Sequence, residues 1–162
     1  FAGTAFFTAQ EEAGKSWRFV HEWFKKNKIS TDKLVVLDTS PYETREEADK
    51  QLVVLRNKDV NAKFKSPLLK ELKQFCKKNK ISFSCKDKFI IEKNKLREKE
   101  GLKPISIGST ELGRIVMESN GQIQGSTLQI PTTGYHTVDE TASVESIKAI
   151  IFILSSFYIK NF

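Results

Sequence analysis

The sequence is poor in cysteine and in long apolar runs. Cys76 and Cys85 are its only cysteines, and without metal-type spacing they indicate neither a disulfide framework nor a zinc motif. We interpret them as ordinary thiols of a reducing, cytoplasmic compartment. The longest apolar run, residues 149–154, is far too short to span a bilayer, so we expect no membrane contact. No charged-then-apolar leader opens the chain.

The length and composition indicate one globular domain. A chain of 162 residues can bury a single core, and 39% hydrophobic with 29% charged residues is typical of a folded chain rather than a disordered one. The sequence begins at Phe1, inside an apolar stretch that is typical of a strand. We therefore expect residues 1–162 to be part of a longer domain.

The net charge of +7 is concentrated between residues 63 and 103. A basic surface can indicate nucleic acid or an acidic substrate. Lys70, Lys73 and Lys77, however, alternate with leucines at helical spacing, so we expect them on the solvated face of an amphipathic helix. No interleaved aromatic residues offer a base-stacking platform. The pattern therefore argues against nucleic acid as a partner.

Predicted strands alternate with predicted helices along the chain. β-Branched or apolar runs predict strands, and a serine before apolar residues at helical spacing predicts a helix start. The predicted strands are residues 3–9, 33–38, 51–56, 81–85 and 127–131, and the predicted caps are Ser16, Ser66, Ser109 and Ser143. Residues 87–103 are ambiguous. The order predicts an α/β fold with a mostly parallel sheet flanked by helices, beginning with a parallel βαβ unit.

Residues of metal-ligand type follow three predicted strands. Glu11 and Glu12 follow the first, Asp38 closes the second and His136 follows the last. Reactive groups gather at the carboxyl ends of strands in open α/β sheets, and this set suits zinc or cobalt. Adjacent side chains of an extended chain point in opposite directions, so one glutamate can bind metal while the other acts as a base. Taken singly, each residue also fits an ordinary role. The Glu11–Glu12 pair could begin a helix, Asp38 could be a turn residue, and His136 could be a loop histidine without a function.

Four segments carry elements that occur together in one enzyme family. Residues 7–14 (FTAQEEAG) resemble a Q-E-E-x-G element, and residues 34–38 (LVVLD) resemble a strand-terminal Asp. Residues 108–112 (GSTEL) are similar to G-G-T-D-A, and residues 130–140 (IPTTGYHTVDE) to P-T-R-Y-x-H-S-x-x-E. In this order they resemble the dinuclear-metal aminopeptidases that include the tetrahedral, deblocking and glutamyl aminopeptidases.

The resemblance implies a zinc-exopeptidase-like (phosphorylase/hydrolase-like) catalytic domain whose N-terminal part is missing, so that the chain is its C-terminal half. It implies that Glu11 is the catalytic base, that Glu12 and His136 bind one metal and that Asp38 binds the other. Two divalent metals, Zn or Co, would lie about 3.5–4 Å apart and hold a bridging water that attacks the scissile carbonyl of a peptide. Glu11 would pass the water's proton to the leaving amine.

The resemblance also implies that Thr110 and Glu111 bind substrate, although Glu111 replaces the family's Asp and Thr133 replaces its Arg. The family takes another His and a bridging Asp from sequence before the Glu pair. Here the remaining imidazole is His21, which we expect to be a partly exposed helix residue. We therefore expect an incomplete metal site, an inactive chain when alone, dependence on the missing N-terminal half and assembly as a homo-oligomer.

Two other functions remain open from the sequence. The chain could be an inactive homologue or fragment that serves as a structural or interaction protein. It could also be a basic nucleic-acid-binding module that uses residues 63–103.

Overall fold

The computed structural model describes residues 3–11 and 13–158, and within them it has a central sheet flanked by helices. The predicted α/β class is confirmed. The strands are β1 (Thr31–Pro41), β2 (Val53–Leu55), β3 (Phe83–Cys85), β4 (Ile123–Thr133) and β5 (Thr141–Ala142). The helices are α1 (Ser16–Asn27), α2 (Arg45–Asp49), α3 (Leu68–Lys78), α4 (Lys86–Lys99), α5 (Glu111–Glu118) and α6 (Val144–Ile153), the last continued by a π-helical turn at Leu154–Tyr158.

The sheet has the strand order β1-β4-β2-β3, with β5 added to β4. β1 runs parallel to β4 from the pair Leu34–Gly125 onward, and β2 runs parallel to β3. β2 meets β4 in the antiparallel sense at the single pair Val54–Gln129, and β5 is antiparallel to β4. The sheet is therefore mixed, and most of its paired residues belong to parallel strands.

The core lies on both faces of the sheet. On one face Leu72 of α3 and Ile153 of α6 pack with Leu128 of β4 in one buried cluster. On the other face Phe24 of α1 and Ile115 of α5 pack in a cluster with the first residue of β4. Since successive strand residues point to opposite faces, β4 serves both clusters and is the central element of the fold.

The prediction of a strand at residues 3–9 is wrong. That segment forms no strand, and Phe7 is 98% exposed. A strand needs a neighbour to satisfy its backbone groups, and within the described residues β1 pairs only with β4. Phe6 instead holds the segment by packing on Trp23 and Phe24, at ring-centroid distances of 5.1 and 5.8 Å. The expected opening βαβ unit is consequently not formed.

Four helix starts were predicted from the sequence, and three of the corresponding helices have their cap one residue from the predicted position. The prediction is confirmed at α6, where the Ser143 hydroxyl accepts hydrogen bonds from the N–H groups of Glu145 and Ser146. Helix ends commonly differ by a residue between sequence signals and geometry. The observed caps are Lys15, Pro67 and Thr110 instead of the predicted Ser16, Ser66 and Ser109.

Two helices, α4 and α6, expose much of their surface to solvent. The ambiguous residues 87–103 form most of α4, which buries only a few side chains near its start. On α6 the predicted inner stripe is mostly exposed, because the buried face of the helix is instead formed by Ser146, Ala149, Ile150 and Ile153. Of that predicted stripe Ile150 is buried and Leu154 is half-buried, while Val144, Ile147 and Ile151 are exposed.

Both cysteines are free thiols, as predicted. Burial raises the pKa of the Cys76 thiol to about 11, which makes it a poor nucleophile. Within the described residues, no helix combines the length and apolar character needed to cross a membrane.

Candidate active site

Two clefts that share Tyr135 contain most of the predicted site residues. The first, of about 200 Å³, contains Glu11, Thr110, Glu111 and His136. The second, of about 410 Å³, contains Asp38. Further lining residues of the first cleft are Gly14, Trp17, Ser109 and Arg114, and those of the second are Leu37, Thr39, Leu128, Ile130, Glu140 and Ile150.

Glu11 lies in a tight turn before α1. The Gly14 N–H donates to the Glu11 carbonyl at 2.6 Å, and Gln10 adopts a left-handed φ of 64°, which is uncommon outside glycine. Arg114 of α5 anchors the turn, because its Nη1 donates to the Gly14 carbonyl at 3.0 Å. Glu12 lies outside the described residues, so its predicted role as a metal ligand stays a prediction.

Asp38 lies inside β1 rather than at its end, which corrects the prediction. The strand continues through Pro41 because the pairing with β4 also continues. The Asp38 carboxylate accepts a hydrogen bond from the Thr39 N–H at 2.7 Å and another from Nε2 of Gln129 at 3.1 Å. Its orientation is therefore set by two neighbours within the sheet.

His136 lies in the turn that follows β4. Its backbone φ is 61°, and Gly134, two residues earlier, is also left-handed with a φ of 71°. The His136 ring stacks on Tyr135 with 3.8 Å between centroids, and the His136 N–H donates to a Glu140 carboxylate oxygen at 3.3 Å. Left-handed backbone at a non-glycine residue stores strain, which is frequent at functional sites.

Glu111 is an acid of the first cleft whose pKa is strongly raised. Burial raises the pKa of its carboxyl to about 7, and the charges of Glu11 and Asp38 add to the effect. The Trp17 N–H and the Arg114 guanidinium lower it by less. Its Oε1 is buried and has no hydrogen-bond partner in the described structure. Partly desolvated negative charge is thus concentrated beside the clefts, where a cation would relieve it.

Comparisons with known proteins support the fold. No family model and no curated protein sequence matches the chain. A solved structure does match. It is described as "3-D structure of PhTET1-12s, dodecamer in the asymmetric unit", with a TM-score of 0.64 and 16% sequence identity over 94% of this chain. The chain spans 40% of the length of the PhTET1-12s chain, and at this identity the similarity establishes a shared fold alone.

Asp38 and His136 line two different clefts that share Tyr135, and the described residues do not complete a metal site. Within residues 3–11 and 13–158, no group of three His, Cys, Asp or Glu side chains is placed to hold a metal ion. The oxygen and imidazole donors of Asp38 and His136 nevertheless suit zinc or cobalt. The unpartnered Oε1 of Glu111 and the local excess of acid also favour a divalent cation nearby.

Asp59 is a residue of the site region that the sequence interpretation missed. Its buried carboxylate accepts from the Thr110 N–H at 2.7 Å and from the Thr110 hydroxyl at 2.8 Å. The same hydroxyl accepts from the Gly113 N–H at 3.1 Å, and a Cβ at Gly113 would overlap the Asp59 carboxylate. Thr110 therefore fixes the start of α5 beside Glu111, while its predicted contact with substrate stays a prediction.

The raised pKa of Glu111 predicts a pH-dependent effect of Glu111→Gln on stability. Between the ordinary pKa of 4.5 and the folded value of about 7, the folded chain binds the proton more tightly than the unfolded chain. Stability is therefore lost as the pH rises through this window, and glutamine avoids the loss. In metal-free buffer we expect the melting temperature of the variant to exceed that of the wild type more at pH 8 than at pH 5.

The matched control is Glu118→Gln, an exposed residue at the end of the same helix. Its difference from the wild type should change little between the two pH values. An equal Glu111→Gln effect at pH 5 and pH 8 would show that the charge at Glu111 is not the cause.

Proposed function

We propose that this chain supplies part of the catalytic site of a metal-dependent aminopeptidase, which hydrolyses N-terminal residues from peptides. The TET proteins to which PhTET1-12s belongs by name are the tetrahedral members of the family that the sequence resembles. The observation that carries the proposal is the cluster of acidic side chains around Glu111. The charges of Glu11 and Asp38 both raise the pKa of Glu111, and Glu111 lines the same cleft as His136. Fold similarity alone would not specify a function.

In this proposal Asp38 binds one divalent metal, and His136 binds the other together with Glu12. When bound, such metals polarise the scissile carbonyl and lower the pKa of the attacking water. The stacking of the His136 ring on Tyr135 restricts the ring's rotation, and the hydrogen bonds to Asp38 restrict its carboxylate. Both side chains would then present their donor atoms with little loss of conformational freedom.

The chain's own residues then divide the remaining work. Glu11 accepts the proton of the attacking water and returns it to the leaving amine, which is general base and then general acid catalysis. Glu111, with its unpartnered Oε1, accepts hydrogen bonds from the α-ammonium group of the peptide. The rings of Trp17 and Tyr135 line the same cleft and exclude water from the bound N-terminal residue.

The described residues supply too few ligands for two metals, because a catalytic zinc usually has three protein ligands besides its water. We propose that the remaining ligands come from elements equivalent to the part of PhTET1-12s that this chain does not span, and that the 162-residue chain alone is inactive. PhTET1-12s forms a dodecamer in its asymmetric unit. By analogy we propose that the full-length protein, which would carry those elements, is a homo-oligomer. Because both cysteines are free thiols, we also propose that it is cytoplasmic.

Peptidase assays on the full-length protein test this function. With zinc or cobalt it should release the N-terminal residue of a short peptide, should leave the N-acetylated peptide intact, and should lose activity with a chelator. The 162-residue chain assayed in parallel should be inactive. Cleavage of the acetylated peptide would contradict the role of Glu111 at the α-ammonium group, and activity that survives metal removal would contradict the metal-dependent function. A folded, metal-free and inactive full-length protein would favour the inactive homologue.

A further inference from the structure

A buried polar chain ends at Asp38, which lines the second cleft, and takes no part in the steps above. Arg56 directly follows β2 and is 4% exposed, and Gln129 lies within β4 and is fully buried, so two polar side chains lie inside the core. The Arg56 Nε donates to Oε1 of Gln129 at 2.8 Å, and its Nη1 donates to the Ile107 carbonyl at 2.7 Å. Buried charge is costly unless it is paired and hydrogen-bonded, so a chain of this kind requires a structural or functional reason.

The Arg56 contact determines which way the Gln129 amide faces. The Gln129 amide oxygen accepts the hydrogen bond from the Arg56 guanidinium, so the Gln129 amide nitrogen faces Asp38. This nitrogen donates to Asp38 Oδ2 at 3.1 Å and to the Thr39 carbonyl at 2.9 Å. The reverse orientation would oppose the amide oxygen to the carboxylate and the amide nitrogen to the guanidinium. Asp38 is paired with Gln129 across β1 and β4, so the register of the sheet maintains the contact.

We propose that Arg56 and Gln129 are positioning residues that orient the Asp38 carboxylate for metal binding. The inference rests on the proposed function, in which Asp38 is a metal ligand. A residue that hydrogen-bonds to a metal ligand fixes the orientation of that ligand, and its loss commonly lowers the metal affinity by about 10- to 100-fold. Arg56 also holds the Ile107 carbonyl, shortly before Glu111 in the chain, so one guanidinium connects Asp38 with the segment that leads into the first cleft.

Two substitutions of Gln129 in the full-length protein test the positioning. Gln129→Met removes the donor to Asp38 at similar volume. Gln129→Leu also removes the donor without adding charge, and its branched side chain packs differently, which protects the test if the methionine variant folds poorly. We expect either variant to bind Co²⁺ about 10- to 100-fold more weakly. Competition with a chelator gives the affinity, and the cobalt absorption spectrum should change because the coordination changes.

Gln51→Met is the matched control. Gln51 is also buried, and its Nε2 donates to the Glu47 and Ala48 carbonyls at 2.8 and 2.9 Å, but it lines neither cleft. Melting temperatures of the metal-free proteins report general destabilisation separately. We expect the control to keep the wild-type cobalt affinity and spectrum. An equal loss of affinity in Gln51→Met would overturn the inference.

Asp38→Asn separates this inference from the proposed function. If it loses cobalt affinity while both Gln129 variants retain it, Asp38 is a ligand but is not positioned by Gln129, and only the present inference fails. If Asp38→Asn itself retains the wild-type affinity, the assignment of Asp38 as a ligand fails, and the inference fails with it.

Discussion

Glu11→Gln in the full-length protein is expected to lower peptide turnover about 10²–10⁴-fold while the bound metal is retained. Glutamine keeps the size and polarity of the side chain but cannot accept the proton of the attacking water. Glu11 lines the first cleft and is close enough to Glu111 to affect its pKa, as a base beside the substrate would be. Turnover of an aminoacyl reporter and elemental analysis of the same sample measure the two quantities.

The control for this substitution is Glu22→Gln, on the exposed side of α1 outside both clefts. It should keep turnover and metal. Glu12→Gln should show the opposite pattern to Glu11→Gln and lose metal, because Glu12 is the predicted ligand. Loss of metal in Glu11→Gln with full retention in Glu12→Gln would reverse the two roles.

Gly125→Ala is expected to reduce the free energy of unfolding by about 3 kcal/mol or more. Gly125 of β4 pairs with Leu34 next to an irregularity in β1, and an added Cβ would overlap the Leu34 carbonyl oxygen and lie 2.7 Å from the carbonyl carbon. The obstacle is backbone of the longest strand pair, so it cannot rotate away as a side chain can. Urea unfolding of the metal-free variant measures the loss.

Gly101→Ala separates this overlap from ordinary backbone strain. Gly101 has a φ of +70°, but an added Cβ there would meet nothing within 4 Å. It should therefore cost about 1–2 kcal/mol, the usual penalty for a left-handed alanine. A Gly125→Ala loss no larger than that of Gly101→Ala would mean that β1 and β4 separate easily, and that their pairing does not fix Asp38.

Local patterns predicted the elements that bury one clear face. The stripe of α3 and the β-branched run of β1 specify their own structure, and both are confirmed. Residues 3–9 carry an equally apolar pattern, yet form no strand because a ladder depends on a neighbour that local sequence does not reveal. Residues 87–103 are the reverse case, since α4 is largely solvated and shows no apolar periodicity.

Motifs predicted four residues that line one cleft in the structure, while their roles there stay predictions. Glu11, Thr110, Glu111 and His136 come from three separate motifs and line one cleft. The residues that support them were not predictable, because their contacts join distant parts of the chain. Asp59 reaches Thr110 across 51 positions, and Arg56 reaches Gln129 across 73. The only sequence signal for Arg56 and Gln129 is a polar side chain beside or within an apolar strand.

Anomalous X-ray scattering from crystals of the zinc-loaded full-length protein is the most direct test of the metal-dependent site. The proposal predicts two zinc peaks about 3.5–4 Å apart, one coordinated by Asp38 and the other by His136, with Glu11 beside them but not bound. Zinc bound elsewhere, or a fully loaded protein in which neither Asp38 nor His136 coordinates a metal, would contradict it.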